Sequence, residues 1–106
     1  IAEALSGKSA VVIASTDFTH YESKAVAQSQ DAAAMERILA LDAQGLLETV
    51  YDRNISMCGA IGTAVMIDAC KRLGAGRARK LTYYTSGDVS GDTGQVVGYG
   101  SLCIGR

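Results

Sequence analysis

Strand-like segments lie near both ends of this sequence, and about sixty residues with helical character separate them. This arrangement limits the possible folds more than any other feature of the sequence. Residues 8–15, KSAVVIAS, form a short apolar run rich in β-branched side chains, so they predict a strand buried on both faces. Residues 80–86 and 95–105 alternate in hydrophobicity, as half-buried strands do. This order predicts a layered α/β fold with a mixed sheet, and so long a crossover favours a portion of a larger sheet.

The middle of the chain predicts three helices. Residues 25–41 are rich in alanine and place three larger apolar residues on one helical face, namely Met35, Ile38 and Leu39. A second helix is predicted to begin near Asp42, which would serve as its N-cap. The third, within residues 56–74, ends at Gly74 and carries an apolar stripe at helical spacing, formed by Gly62, Val65, Met66, Ala69, Cys70 and Leu73.

The composition predicts one folded domain and gives no sign of a strongly charged binding partner. The chain has 106 residues, of which 48% are hydrophobic and 20% charged, so it is long enough to bury a core and too apolar to be a disordered tail. Its net charge of −1 attracts neither nucleic acid nor an anionic membrane. Basic residues cluster in residues 71–80, but without interleaved aromatic residues this cluster favours a solvated helix end over a nucleic-acid site.

The three cysteines and the absence of a long apolar segment indicate the cellular compartment in which the protein is expected. An odd number of cysteines without CxxC spacing predicts no disulfide framework, so reduced thiols in a cytoplasmic protein are expected. No segment approaches the roughly 20 apolar residues that a membrane-spanning helix needs.

Asp17 and His20, the only histidine of the chain, follow the first predicted strand. Sites in open α/β sheets gather at the carboxyl ends of strands, and a carboxylate near an imidazole can set its tautomer and prepare it for acid/base work. An Asp-x-x-His sequence is also a common polar pairing in turns. From position alone, a catalytic pair and an ordinary turn both stay open.

Cys58 precedes the third helix, where a thiol has a lowered pKa and is a better nucleophile or metal ligand. The alternative is a small buried residue at the start of a helix. Cys70 and Cys103 lie on apolar faces of a predicted helix and strand, where core packing is the better interpretation.

The loop of residues 86–94, SGDVSGDTG, offers Asp88 and Asp92 as ligands for a hard cation or as part of a substrate loop. The spacing does not match the D-x-D-x-D-G calcium pattern. A structural turn, held by bonds from Ser and Asp side chains to the backbone, is favoured.

Four stretches, in this order, resemble the Memo family, also named AmmeMemoRadiSam system protein B. They are residues 11–21 (VVIASTDFTHY), 31–42 (DAAAMERILALD), 57–74 (MCGAIGTAVMIDACKRLG) and 83–101 (YYTSGDVSGDTGQVVGYGS). The resemblance implies a fold and a site like those of class III extradiol dioxygenases, which use a non-haem iron(II) and a histidine base to open catechol-type rings with O₂.

The resemblance also implies roles for individual residues. His20 matches the family's active-site histidine, the position of the dioxygenase acid/base, and Asp17 is its neighbour in the same motif. Cys58 matches the family's cysteine metal ligand, which stands where the dioxygenases have a carboxylate. Because a thiolate is softer than a carboxylate, the expected metal is either iron or copper, and oxygen chemistry follows less directly than in the dioxygenases.

The sequence departs from the family at one important point. The resemblance implies an N-terminal half with two more histidine ligands, in motifs like PHAGY and GPxH, and neither motif occurs in this sequence. We therefore expect residues 1–106 to be the C-terminal portion of a Memo-like domain that binds no metal tightly alone. We expect the chain to self-associate or to bind the N-terminal half.

Three functions are compatible with the resemblance. The intact protein would be a non-haem metal-dependent redox enzyme of dioxygenase type, acting on a small phenolic ligand. Alternatively, it would be a binding or scaffold protein that keeps the pocket without the activity, because fold does not decide function. The family's name also suggests a partner in a radical-SAM-associated system.

Overall fold

The computed structural model describes all 106 residues and shows helices packed on a three-stranded antiparallel sheet of order β1-β3-β2. The elements in chain order are α1 (Ala2–Leu5), β1 (His20–Glu22), α2 (Lys24–Leu39), α3 (Ala43–Asp52), α4 (Ala60–Arg72), β2 (Arg77–Thr85), α5 (Gly87–Ser90) and β3 (Val96–Gly105). The predicted α/β class is confirmed. None of the helices combines the length and apolar character that a bilayer-spanning helix requires.

The strand predicted for residues 8–15 is wrong for this chain, because these residues pair with no other strand. Val11 is 86% exposed and Ile13 is 83% exposed, whereas Val12 and Ala14 are half-buried. The segment is therefore covered on one face only. Because this segment does not join the sheet, and both pairings present are antiparallel, the residues of this chain do not form the predicted mixed sheet.

The long hairpin of β2 and β3 confirms the two other predicted strands. Its register places Tyr83 opposite Gly100 and Thr85 opposite Gly98. Alternation along β3 turns Leu102 and Ile104 toward the core cluster. The same alternation leaves Cys103 exposed, so the prediction that Cys103 packs in the core is wrong.

Local signals set the helix ends as predicted. Asp42 is the N-cap of α3, where its Oδ1 accepts a hydrogen bond of 2.8 Å from the backbone N–H of Gly45. Gly74 follows the end of α4 at φ +97°, a left-handed conformation that glycine adopts without a steric penalty. Ser23 caps α2 by accepting from the backbone N–H of Val26.

The apolar stripe predicted for α4 is not its most buried face. Val65 is exposed and Met66 is half-buried, whereas the fully buried positions include Thr63 and Ile67. The helix is apolar on two sides, and the hydroxyl of Thr63 is satisfied within the helix by donating to the carbonyl of Gly59. Sequence periodicity therefore does not show which side meets α3.

The core lies between the sheet and the three long helices. Its ten-residue cluster comprises Phe18, Ala34, Met35, Ile38, Leu41, Leu46, Ile55, Met57, Ala60 and Ile67. Phe18 also meets the ring of Tyr83 edge to face, at a centroid distance of 6.5 Å. This packing holds the residues just before His20 firmly against β2.

A buried carboxylate lies beside this core. Asp31, in the middle of α2, has no exposed surface and accepts hydrogen bonds from the backbone N–H and the hydroxyl of Thr19 and from the hydroxyl of Tyr83. Burial, and then the hydrogen bond to Asp31, raise the pKa of Tyr83 above its ordinary value. The Tyr83 hydroxyl therefore stays protonated and donates to the carboxylate.

Because Gly98 of β3 has no side chain, the carboxylate of Asp31 can occupy the space beside it. A Cβ atom at Gly98 would lie 1.9 Å from Oδ2 of Asp31 and 2.9 Å from the Tyr83 hydroxyl oxygen. Neither group can move without losing its hydrogen bond. Gly62, on an exposed part of α4, has nothing within 4 Å of such a Cβ and is the matched control.

We expect Gly98→Ala to lower the free energy of unfolding by about 1–3 kcal/mol, because the added methyl group overpacks a buried site. Gly62→Ala should raise it by about 0.5–1 kcal/mol, since alanine lowers the entropic cost of forming the helix. Urea unfolding followed by circular dichroism measures both changes. Equal effects of the two substitutions would contradict the steric role of Gly98.

Candidate active site

The loop of residues 16–20 is hydrogen-bonded to the edge of β3. The backbone N–H of Phe18 donates to the carbonyl of Gly98 at 3.0 Å, and the N–H of Gly98 donates to the carbonyl of Thr19 at 2.9 Å. These bonds, with buried Phe18 and Thr19, fix the backbone between Asp17 and His20. The bulge that follows puts Tyr21 at φ +61°, an uncommon conformation for a bulky residue.

Ser56 holds His20 through two contacts. The Nδ1 atom of His20 lies 2.7 Å from the carbonyl oxygen of Ser56, and the backbone N–H of His20 donates to Oγ of Ser56 at 2.8 Å. Because a carbonyl oxygen only accepts hydrogen bonds, this contact assigns a proton to Nδ1. The Nε2 atom then carries the lone pair of the neutral imidazole and is the atom that can accept a proton.

Asp17 faces that second nitrogen. Its Oδ2 atom lies 3.5 Å from Nε2 of His20, and its side chain is half-exposed. The sequence-based expectation was that this carboxylate sets the tautomer, but the tautomer follows from the carbonyl of Ser56. Asp17 is instead placed to attract the imidazole once Nε2 is protonated.

Cys58 lies beside the start of the same loop. Its Sγ atom is exposed and 3.5 Å from Oγ1 of Thr16, which also accepts a hydrogen bond of 2.7 Å from the backbone N–H of Gly59. The hydroxyl of Thr16, and then the backbone of Asp17, lower the pKa of the Cys58 thiol, while burial and the charge of Asp17 oppose this effect. The alternative of a buried residue at a helix start is wrong for Cys58.

Two distant segments therefore meet at this site. The loop of residues 16–20 supplies Asp17 and His20, and residues 56–59 supply Cys58 and the carbonyl that orients the histidine. Sequence reasoning singled out Asp17, His20 and Cys58 as candidates and missed Thr16 and Ser56, which contact them. Hydroxyl residues at these two positions carry no sequence signal, because their partners lie 42 and 36 residues away.

A small polar cavity of about 180 Å³ adjoins His20 on the side of Ser56. Its wall includes Gln30, whose Nε2 atom donates to the carbonyl of Arg53 at 3.0 Å. That bond fixes the amide orientation, so the buried Oε1 atom has no protein partner.

The donor set for a metal is incomplete within these residues. No three side chains of His, Cys, Asp or Glu lie together in a way that would hold a metal ion. Catalytic metal sites generally have three protein ligands, so the residues of this chain do not by themselves fit one. The iron or copper implied by the resemblance stays a prediction.

Asp88 and Asp92 make separate contacts within the protein. Asp88 pairs with Lys24 and accepts from the backbone N–H of Thr85, and the contact with Lys24 is the main reason that its pKa is lowered. Asp92 accepts a hydrogen bond of 3.0 Å from the backbone N–H of Gly94. These contacts are those of a structural turn, in which residues 87–90 form α5.

Comparison with known proteins shows the family to which this chain belongs. The family described as "Memo-like protein" matches residues 1–103. The chain belongs to this family. The resemblance drawn from the four sequence stretches is thereby confirmed.

Memo-like relatives match almost all of this chain but are much longer. A MEMO1 family protein of Methanopyrus kandleri is 52% identical over 99 residues, which cover 93% of this chain and 35% of that protein. MEMO1 family proteins of Methanosarcina acetivorans and Nitrosopumilus maritimus are 48% and 41% identical, over 93% and 96% of this chain and 37% of each relative. The chain thus spans little more than a third of the length of these curated relatives.

The contact between Thr16 and Cys58 predicts a reactivity that can be measured. Thr16→Val removes the hydroxyl that stabilises the thiolate, so the pKa of Cys58 should rise and its alkylation at neutral pH should slow. Because a more basic thiolate is also more nucleophilic, this gain partly offsets the loss of thiolate, and the net slowing should be only a few-fold, roughly two- to fivefold.

Thr16→Ser is the matched control, because serine keeps the hydroxyl group. In this variant Cys58 should be alkylated at the rate of the wild type. Iodoacetamide labelling followed peptide by peptide in the mass spectrometer separates Cys58 from Cys70 and Cys103. Equal rates in the valine and serine variants would show that the hydroxyl does not tune this thiol.

Proposed function

We propose that the intact protein is a non-haem metal-dependent redox enzyme of dioxygenase type, in which His20 is the acid/base residue. The chain belongs to the Memo-like family and spans only part of its relatives, so the reaction is suggested by the resemblance of that family to class III extradiol dioxygenases. The observation that carries the proposal is the contact of 2.7 Å between Nδ1 of His20 and the carbonyl of Ser56. It leaves Nε2 free to take a proton.

The residues of this chain support a simple proton transfer. Nε2 of His20 accepts the proton of a phenol-like hydroxyl group, and the imidazole becomes an imidazolium ion. Asp17, 3.5 Å from Nε2, then stabilises that positive charge without receiving the proton. The ring cannot rotate away during the transfer, because Ser56 still accepts from Nδ1.

Cys58 would contribute a thiolate ligand to a metal, together with two histidines from an N-terminal half. The exposed Sγ atom and the lowered pKa of Cys58 suit this role, since the thiolate is the form that binds a metal. A bound iron or copper ion would supply the redox chemistry with O₂. The part of the site formed by this chain is the base and one ligand.

His20→Ala in the intact protein should lower kcat/KM by about 10²–10⁴-fold, the usual contribution of a general base. Substrate-dependent O₂ uptake, measured with the metal-loaded protein across a panel of catechol-like compounds, gives the rate. Asp68→Asn is the control, because Asp68 lies on the exposed face of α4 and pairs only with Arg72. Unchanged turnover in His20→Ala would remove this residue from the mechanism.

Cys58→Ser should weaken iron or copper binding by the intact protein at least about tenfold. Loss of a group that only supports a ligand costs 10–100-fold in affinity, so loss of a ligand costs at least as much. Cys103→Ser is the matched control, because Cys103 is also exposed but lies on β3. Equal metal affinity in the two variants would exclude Cys58 as a ligand.

A binding or scaffold protein is the alternative function. It predicts that catechol-like compounds bind without any O₂ uptake, whichever metal is loaded. The exposed side chains of Val11 and Ile13 favour a protein partner for the extended segment, and we propose that this partner is an N-terminal half or a second copy. A role beside radical-SAM components would show as co-purification with them.

We place the protein in the cytoplasm. Cys58, Cys70 and Cys103 are all free thiols, as proteins of a reducing compartment usually have them. The low net charge favours neither nucleic acid nor a membrane surface as a partner.

A further inference from the structure

We propose that Asp31 is a positioning residue that holds His20 in place through Thr19. The inference deepens the proposed function, and it rests on that function only for the catalytic meaning of His20. The contacts that carry it lie within this chain and involve neither metal nor substrate.

The first step is the set of hydrogen bonds on one carboxylate. Oδ1 of Asp31 accepts from the backbone N–H of Thr19 at 2.9 Å and from its hydroxyl at 2.6 Å. Oδ2 accepts from the hydroxyl of Tyr83 at 2.5 Å. Asp31 and Thr19 are 0% and 1% exposed, so water does not compete for these bonds. Residue 19 is thereby fixed in both its backbone and its side chain.

The second step is the position of His20, which follows Thr19 directly. On its other side, the imidazole and the backbone N–H of His20 contact Ser56 at 2.7 and 2.8 Å. These two contacts are short only if the backbone at residue 19 stays where Asp31 places it. A shift of that backbone would take Nδ1 away from the carbonyl and free the ring to adopt the other tautomer.

The third step is the cost of placing a carboxylate here. The neighbouring buried positions of α2 are apolar, as at Ala27, Ala34 and Met35, and an apolar residue at position 31 would continue that core. A buried carboxylate is unfavourable unless its hydrogen bonds are complete. The structure completes them with Tyr83, which orients the second oxygen, and with Gly98, where a side chain would collide with Oδ2. The loop of residues 16–20, β2 and β3 are thus arranged around this single group of α2.

The test compares two substitutions of Asp31 in the intact protein. Asp31→Asn keeps an oxygen that accepts from Thr19, and its amide can donate to Tyr83. Asp31→Leu has a similar volume and no acceptor. The ¹⁵N chemical shifts of the His20 imidazole report its tautomer directly. The signals are assigned by their loss in His20→Gln, and the spectra are recorded at a pH where the ring is neutral.

The wild type and Asp31→Asn should show the proton on Nδ1. Asp31→Leu should show a mixture of tautomers, and its kcat should fall by about 10–100-fold with little change in KM, because a small displacement of the base impairs proton transfer more than binding. Leu46→Ala is the control for stability, since Leu46 is fully buried in α3 outside this network. It should keep both the tautomer and kcat.

Milder variants keep the test decisive if Asp31→Leu does not fold. Thr19→Val removes only the hydroxyl bond, and Tyr83→Phe removes only the bond to Oδ2. Each should shift part of the imidazole to the other tautomer. A pure Nδ1–H tautomer in every folded variant would overturn the inference.

Failure of the proposed function can be told apart from failure of this inference. Unchanged activity in His20→Ala would reject the base, whereas the ¹⁵N spectra need no substrate and still report whether Asp31 positions His20.

Discussion

The buried carboxylate of Asp31 is the contact on which the geometry of this site depends. It joins the middle of α2 to β2 through Tyr83 and to the loop that carries His20 through Thr19. Burying a charged group costs several kcal/mol in an apolar environment, and three hydrogen bonds on its two oxygens offset that cost. An apolar residue at position 31 would avoid this cost. What the carboxylate of Asp31 adds is a fixed conformation of Thr19, the residue before the candidate base His20.

Neutral hydrogen-bonding groups tune the chemistry of the site more than charges do. The carbonyl of Ser56 assigns the proton on His20, and the hydroxyl of Thr16 stabilises the thiolate of Cys58. The charge of Asp17 is half-exposed and 3.5 Å from the imidazole. Exposed charge pairs are weak and are screened by salt, whereas short hydrogen bonds at fixed distances are affected less. The site should therefore keep its arrangement over a wide range of ionic strength.

The extended segment of residues 8–15 shows how much a strand depends on its neighbours. Its β-branched residues are suited to a sheet, but β-propensity acts mainly through packing against adjacent strands. Here no strand lies beside it, and Val11 and Ile13 remain exposed. The chain spans little more than a third of its relatives. The same segment leads directly into the site, so whatever covers it also borders Thr16 and Asp17.

The sequence by itself determined the features that depend on neighbours a few residues away. The cap at Asp42, the stop at Gly74 and the alternation of β3 all follow from local geometry, and each was predicted correctly. Asp17, His20 and Cys58 could be named as candidates from the sequence, because their chemistry and their places beside predicted elements single them out; their roles stay predictions. Tertiary structure decided the rest. The buried face of α4, the exposure of Cys103 and the partners of His20 depend on residues far along the chain. Asp31 lies 12 residues from Thr19 and 52 from Tyr83, and only folding brings these groups together.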